Sequence, residues 1–387
     1  MKPKRFDAVL NIPSPYRIHL LGELDRQLRE MGWDFCANFM AKWHTERPES
    51  WRNPAMNFKY RYWSDWGGGW HHFNLGLILH QVLFKSDVLL LGSPFDTFTG
   101  IFCAMFGRAK LKICWIEGNT KTPGKLIGFL GWFKRLVLSR FDFAAVPGKE
   151  GAGYIGLHAA RTWRKMPEPV CLPNLVDESR FKPRQQWDVA RIAHCRAKMG
   201  AGDGDRICII PAKLTPVKGL VPFLEALNPQ CLKNWKLVVI GQGELRDAFL
   251  DKAADVGVAE KVRILDYVSY DEMPLYYAAS DLCLLPSIQD MNPLVVPEAL
   301  HSGLPLALSD CVGNVSEGVA DGDNGWVLPV LNTTKYPLVL EEVFNSDVAK
   351  LRRMGEISYS LNAKFWDTKS SIKNFLSSIG LDETQQF

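Results

Sequence analysis

Two carboxylates, Asp290 and Glu298, stand with seven residues between them in the run PSIQDMNPLVVPEALHSGLPLALSD. Residues 281–286 ahead of them read as a short buried strand that ends at a proline. About residues 294–301 read as a helix, broken by Gly303-Leu-Pro305 before the apolar strand 306–308. Asp290 is therefore expected on the loop at the carboxyl end of a strand, where open α/β sheets bind ligands. Glu298 is expected one to two turns inside the following helix, whose first backbone N–H groups could meet a phosphate or a sugar oxygen. The plain alternative is a loop aspartate and a helix-start glutamate held by the dipole.

A second run carries cations. Residues 207–219, ICIIPAKLTPVKG, read as a buried strand, a short loop and a helix start, with Lys213 and Lys218 on the loop. Fixed cations in a water-poor cleft stabilise negative charge that grows on a leaving diphosphate. Taken singly, both lysines would read as solvated surface charges.

In this order, the two runs resemble the donor-binding signature of the GT-B glycosyltransferases, most closely the retaining family GT4. The resemblance implies that Glu298 holds the ribose hydroxyls of a sugar nucleotide and that Asp290 lies beside the transferred sugar. Asp290 stands where relatives usually have Glu. Lys213 and Lys218 would clamp the diphosphate, with Lys213 in the place usually held by Arg. That exchange turns a bidentate fork into a point charge. Backbone N–H groups of Asn292 and Leu294 would orient the donor sugar, while Pro293 has none to offer.

Strands and helices alternate between the two runs: a strand over 235–240, a tight turn Gly241-Gln-Gly243 opening a helix through about Ala254, and a strand over 261–265. A helix over 270–280 follows. By resemblance, Gly241 and Gly243 approach the phosphates, and the backbone of Tyr267 and Val268 lines the base pocket. Gly-x-Gly alone lacks the full dinucleotide fingerprint, so a nicotinamide site is disfavoured.

The amino-terminal half resembles the family more loosely. Residues 6–12 read as a first strand, Pro13-Ser-Pro-Tyr16-Arg17 as a loop, and 18–31 as an amphipathic helix. Tyr16 and Arg17 would face an acceptor or the diphosphate; a surface arginine at a helix start is the alternative. Strands are expected over 87–92, 111–116 and 141–146. Glu117 and Asn119 follow the second of these, where many relatives place a histidine against the donor sugar. Glu117 is a candidate catalytic group or a structural loop carboxylate. No covalent nucleophile stands out, and the family implies front-face departure of the leaving phosphate.

At 387 residues the chain has room for two cores. The expected organisation is two doubly wound parallel-sheet, Rossmann-like α/β domains facing a cleft, a GT-B architecture. An acceptor domain over 1–185, a donor domain over 200–365 and a helix over 366–387 returning to the first domain are expected. The net charge of +4 decides little, but residues 1–180 hold 25 Lys/Arg against 16 Asp/Glu and the remainder 21 against 26. A basic half fits an anionic partner: a lipid surface, a lipid-linked pyrophosphate sugar or, by charge alone, nucleic acid. The resemblance points to the first two, and no nucleic acid is expected.

Residues 125–140, from Lys125 to Arg140, mix large apolar with basic residues, as interfacial helices do, or as a helix covering the first sheet does. Trp63, Trp66 and Trp70 could stack on an acceptor sugar, lie at a membrane interface or pack under a loop. His71 and His72 lack a partner at metal-ligand spacing. Nine scattered cysteines without a C-x-x-C pair fit a reducing cytoplasm. No leader is expected from the basic opening Met1-Lys2, and no spanning helix from the apolar runs.

The resulting expectation is an enzyme that moves a sugar, with retention, from a nucleotide-diphosphate sugar to a hydroxyl of a glycan or lipid-linked glycan. It would work in the cytoplasm, either free or associated with the inner membrane face, with no cofactor and no metal. A sugar-nucleotide epimerase of the same fold and a catalytically silent binding protein are the alternatives.

Overall fold

Short runs of Val, Ile and Leu buried on both faces make strands of parallel sheets, and two such sheets organise this chain. The computed structural model describes residues 3–44, 51–52, 54–67, 71–92, 94–121, 124 and 126–381. Met1, Lys2, Trp70 and Lys125, named above, lie outside the described residues. The chain divides into two compact units, Met1–Val176 with Thr368–Phe387, and Asp177–Asp367.

Unit 1 contains β1 (Lys4–Leu10), α1 (Pro15–Glu30), β2 (Trp33–Phe39), β3 (Tyr60–Tyr62), α2 (Leu75–Leu83) and β4 (Ser86–Gly92). It continues through α3 (Phe98–Phe106), β5 (Ala109–Trp115), α4 (Gly128–Leu138), β6 (Phe143–Val146), α5 (Lys149–Ala159) and β7 (Glu168–Cys171). The described strands form a parallel sheet in the order β3-β2-β1-β4-β5-β6-β7. Winding reverses between β1 and β4, so the loops after those strands diverge and leave a crevice at the carboxyl edge.

One face of this sheet carries α2 to α5, whose Leu77, Cys103, Val137 and Ile155 join the strand residues Val9, Leu89 and Cys114 in one core. Asp7 in β1 is fully buried, paired with Arg5 at 2.9 Å and accepting from the Ser86 hydroxyl.

Unit 2 contains α6 (Val189–Lys198), β8 (Arg206–Pro211), α7 (Leu220–Ala226), β9 (Trp235–Ile240), α8 (Arg246–Asp255), β10 (Val262–Leu265) and α9 (Met273–Ala278). Then come β11 (Leu282–Leu285), α10 (Val295–His301), β12 (Leu306–Ser309), α11 (Val315–Gly318), β13 (Gly325–Leu328), α12 (Lys335–Asn345) and α13 (Val348–Phe365). Its parallel sheet runs β10-β9-β8-β11-β12-β13, with the reversal between β8 and β11. At the amino ends of that pair Asp281 accepts from Ile207 N at 2.8 Å, Arg184 at 2.8 Å and Arg196 at 3.0 Å. A break in the helix at Trp366–Asp367 precedes the last helix, α14 (Thr368–Ser378), which packs on α1 in unit 1.

Several helix starts differ from expectation. α1 begins at Pro15, so Tyr16 and Arg17 occupy its first turn and not a loop. Proline suits the first helical position, because its missing N–H would have no partner there. α8 begins only at Arg246, α9 spans only Met273–Ala278, and α14 begins at Thr368 and not at Trp366. The polar stretch 183–204 folds as a 3-10 turn, Arg184–Gln186, and α6. His72 does have a carboxylate partner: its Nδ1 contacts Asp65, which also accepts from Gly67 N and Phe73 N at 3.0 and 2.9 Å. That makes Asp65 a loop staple.

Candidate functional site

The β8–α7 and β11–α10 loops lie side by side at the point where the winding of unit 2 reverses. Lys218 ends a 3-10 turn, Pro216–Lys218, and Gly219 follows with φ +65°. A Cβ on Gly219 would fall 2.2 Å from the Pro286 carbonyl oxygen, so only glycine lets this loop press on the end of β11. The contact is tied by Ile288 N and Gln289 N, both donating to Val217 O at 2.9 and 3.0 Å. Asp290 is held from its other side by Gly313 N, which donates to its carbonyl at 2.9 Å. The Lys218 ammonium consequently reaches the Asp290 carboxylate and forms a partly buried ion pair across 72 positions of sequence.

Lys213 lies on the same β8 loop, exposed, and makes no ion pair among the described residues. Gly241 and Gly243 press on its backbone: added Cβ atoms would stand 2.2 Å from Ala212 O and 2.2 Å from Leu214 O. Leu214 N donates to Gln242 O at 3.0 Å and Leu245 N to Leu214 O at 2.9 Å. The two glycines thus support the loop that carries Lys213.

Glu298 is the fourth residue of α10, and its Oε2 accepts from the Tyr277 hydroxyl at 2.6 Å. Burial raises its carboxyl to a pKa of about 7, against the pull of that hydrogen bond and of the nearby Arg180 charge. Tyr277 is fully buried, stacked edge-on against Phe181 at 5.9 Å. Arg180 lies over the Tyr270 ring, 4.2 Å from its centroid, and pairs with Asp271 at 2.5 Å. Burial, then the Glu298 charge, pushes the Tyr270 phenol up to about 12. Arg180, Tyr270 and Tyr277 therefore surround Glu298, and sequence spacing singled out none of them. The signal available was composition: an arginine just beyond Pro173-Asn-Leu-Val-Asp177 and a tyrosine just beyond Val268.

Asn292 and Leu294 lie on the turn into α10; Leu294 caps it, its carbonyl accepting from Glu298 N at 3.0 Å. Pro293 O accepts from Asn314 Nδ2 at 3.2 Å. Tyr267 is exposed and Val268 half-buried, both between β10 and α9.

Unit 1 gathers its candidates at the carboxyl edge of β1 and β5. Arg17 stands 3.6 Å from Glu117, over the Trp115 ring at 5.2 Å and near the Tyr16 ring at 5.8 Å. Asn119 is fully buried. The buried Ser14 Oγ, Arg17 Nε and Trp115 Nε1 have no hydrogen-bond partner among the described residues. Buried polar groups are normally satisfied, so these three atoms leave hydrogen-bonding capacity unused at one sheet edge. Trp63 is committed to packing: Nε1 donates to Asn38 at 3.0 Å and its ring meets His80 at 5.3 Å. Trp66 is exposed. Among the described residues no group of three or more His, Cys, Asp or Glu is arranged to hold a metal, and no helix is long and apolar enough to cross a membrane.

Residues 193–360 match the family model described as glycosyl transferases group 1. An uncharacterised glycosyltransferase of Methanocaldococcus jannaschii is 32% identical over 137 residues, 35% of this chain and 35% of that protein. D-inositol 3-phosphate glycosyltransferase of Nocardia farcinica is 28% identical over 193 residues, 48% of this chain and 41% of its own length. The chain thus spans well under half the length of these two curated relatives. Among solved structures, Anabaena HepE in complex with UDP superimposes with a TM-score of 0.71 at 13% identity, covering 97% of this chain and 99% of HepE. That likeness shows the GT-B fold.

Proposed function

From the match of residues 193–360 to the group 1 glycosyl transferases, we propose that this protein transfers a sugar, with retention, from a nucleotide-diphosphate sugar to a hydroxyl of a glycan or lipid-linked glycan. The observation that carries the reading is the Lys218–Asp290 pair at the β8/β11 reversal. A buried-side ammonium at that crevice suits a diphosphate, and a carboxylate beside it suits the hydroxyls of the donor sugar.

In this reading Lys218 and the exposed Lys213 take up the charge that develops on the leaving diphosphate as the anomeric bond breaks. Glu298, ionised, accepts from the ribose hydroxyls, and Asp290 with the N–H groups of Asn292 and Leu294 orients the sugar. The backbone at Tyr267 and Val268 meets the base. On unit 1, Arg17, Tyr16, Glu117 and Asn119 meet the acceptor, a role supported by the orphaned donors beside them. Side-chain cations do the work a metal does elsewhere, so none is needed. A cytoplasmic site of action fits nine free thiols.

The UDP complex of HepE makes UDP the first nucleotide to test. A thermal-shift panel of UDP, GDP, ADP and dTDP is expected to single out one base, since a ligand at about 100 times its Kd adds about 2.7 kcal/mol. The shift should vanish in Lys218→Ala and in Glu298→Ala. No shift with any of the four would overturn the proposal. Conversion of a labelled sugar nucleotide into an isomer without acceptor would replace it with an epimerase; binding without any release of nucleotide would replace it with a silent binding protein.

A further inference from the structure

We infer that the outer face of α2, α3 and α4 in unit 1 docks on an anionic lipid surface. A helix covering one side of a sheet ordinarily buries one stripe and shows polar residues on the other. These helices do not. α2 buries Leu77 and Ile78, yet Leu75, Leu79 and Leu83 are 42%, 48% and 64% exposed. α3 buries Cys103 and Ala104, yet Phe98, Phe102 and Phe106 are 55%, 40% and 58% exposed. A spacing of four places each trio on one helix face.

The faces adjoin. α2 packs on α3 and α3 on α4, and the inner sides of all three enter a single core. On α4, Phe129 and Trp132 stack at 5.8 Å and are also exposed. At the other end of α3, Phe98 and the exposed Trp66 line one open hollow. Scattered apolar side chains on a surface mean little, but rows of Leu and Phe on three neighbouring helices form a patch that monomers rarely leave bare.

Charge selects the occupant. Lys85, Arg108 and Arg140 each lie two residues beyond Leu83, Phe106 and Leu138, which end α2, α3 and α4. Each of these helices leads into a strand of a parallel sheet, so the three cations lie toward the same end of the unit. All three are exposed and without an ion pair among the described residues. Residues 75–140 hold nine Lys/Arg against three Asp/Glu, a balance of +6. A symmetric pairing of two copies would set this charge against itself. Phospholipid headgroups complement it while acyl chains take up Leu, Phe and Trp.

The inference rests on this surface alone and stands whether or not unit 2 binds a sugar nucleotide. The full chain should float with phosphatidylcholine vesicles containing about one-third phosphatidylglycerol, and about tenfold less with phosphatidylcholine alone or at high salt. Leu79→Ser/Phe102→Ser/Trp132→Ser should lower flotation about tenfold, and Lys85→Glu/Arg108→Glu/Arg140→Glu should remove the preference for the anionic lipid. An unchanged melting temperature will show that the variants are folded. The inference is overturned if the wild type stays unbound with anionic vesicles, or if the apolar triple variant floats like the wild type. A wild-type dimer seen by light scattering that Phe102→Ser converts to monomers, without vesicle binding, overturns it in favour of a second copy.

Discussion

Glu298 shows how a single carboxyl can work against the fold that holds it. Its pKa of about 7 lies above the ordinary 4.5, chiefly because it is buried. A raised carboxyl binds its proton more tightly in the folded state, so stability falls as pH climbs from about 4.5 to 7, and the penalty is complete above that. Glu298→Gln should therefore raise stability at pH 8 by about 1–3 kcal/mol and leave it nearly unchanged at pH 5, as measured by urea unfolding. Nucleotide affinity should run the other way. The wild type should bind about tenfold more weakly at pH 6 than at pH 8, while Glu298→Gln should bind weakly with no such trend. Lys218→Ala should lower kcat by roughly 100-fold, the loss expected for one fixed group facing the leaving charge; exposed Lys213 should cost less. The loop positions of Lys213, Lys218 and Asp290 and the helical position of Glu298 were legible, because proline, glycine and strand runs bracket them. The contact of Lys218 with Asp290 was not, since 72 positions separate them and only the sheet order joins their loops. Arg180 was invisible for the same reason: Tyr270, the ring it covers, lies 90 positions away.

Loops at the carboxyl edge of unit 2 depend on glycines that press backbone on backbone. Gly243→Ala would put a Cβ 2.2 Å from Leu214 O. It should cost about 1–3 kcal/mol in a denaturant melt and weaken nucleotide binding by displacing Lys213. Gly202→Ala is the control, because its Cβ would meet only Asp205 Oδ2 at 3.6 Å, and it should stay within about 0.5 kcal/mol of wild type. Most strands were readable from their apolar runs and the turns that end them, but β2, β3, β7 and β13 were not singled out, and helix starts were not readable. Glu244 and Leu245, expected to open the helix after the Gly241-Gln-Gly243 turn, precede α8, and Leu245 N donates to Leu214 O on the neighbouring loop at 2.9 Å. The apolar rows of α2 and α3 were likewise hidden, because a run such as Leu75–Leu83 is buried or bare according to which side of it meets the sheet.

Each unit has its own parallel sheet and its own reversal, but only unit 2 is continuous in sequence. Unit 1 is completed by α14, which buries Ile372, Phe375 and Leu376 and ties to α1 through Gln27 Nε2 donating to Lys369 O at 2.9 Å. Removing residues 368–387 forfeits three large buried side chains, roughly 4–9 kcal/mol, as much as a whole domain's stability. Calorimetry of that truncation should show the unit 1 transition lowered or missing and the unit 2 transition kept. The alternation of strands and helices foretold two sheets; the return of the last helix was implied only by family likeness, since nothing in its own residues names the surface it covers.

That return reverses the usual order of birth. Proteins made on the ribosome commonly finish their first domain first, but here α1 emerges early and must wait, its apolar flank uncovered, until all of 177–367 and then α14 have been translated. Unit 2 can close while unit 1 is still unfinished. A nascent chain halted before Thr368 would be a natural client for chaperones, and its release would be timed by the arrival of α14.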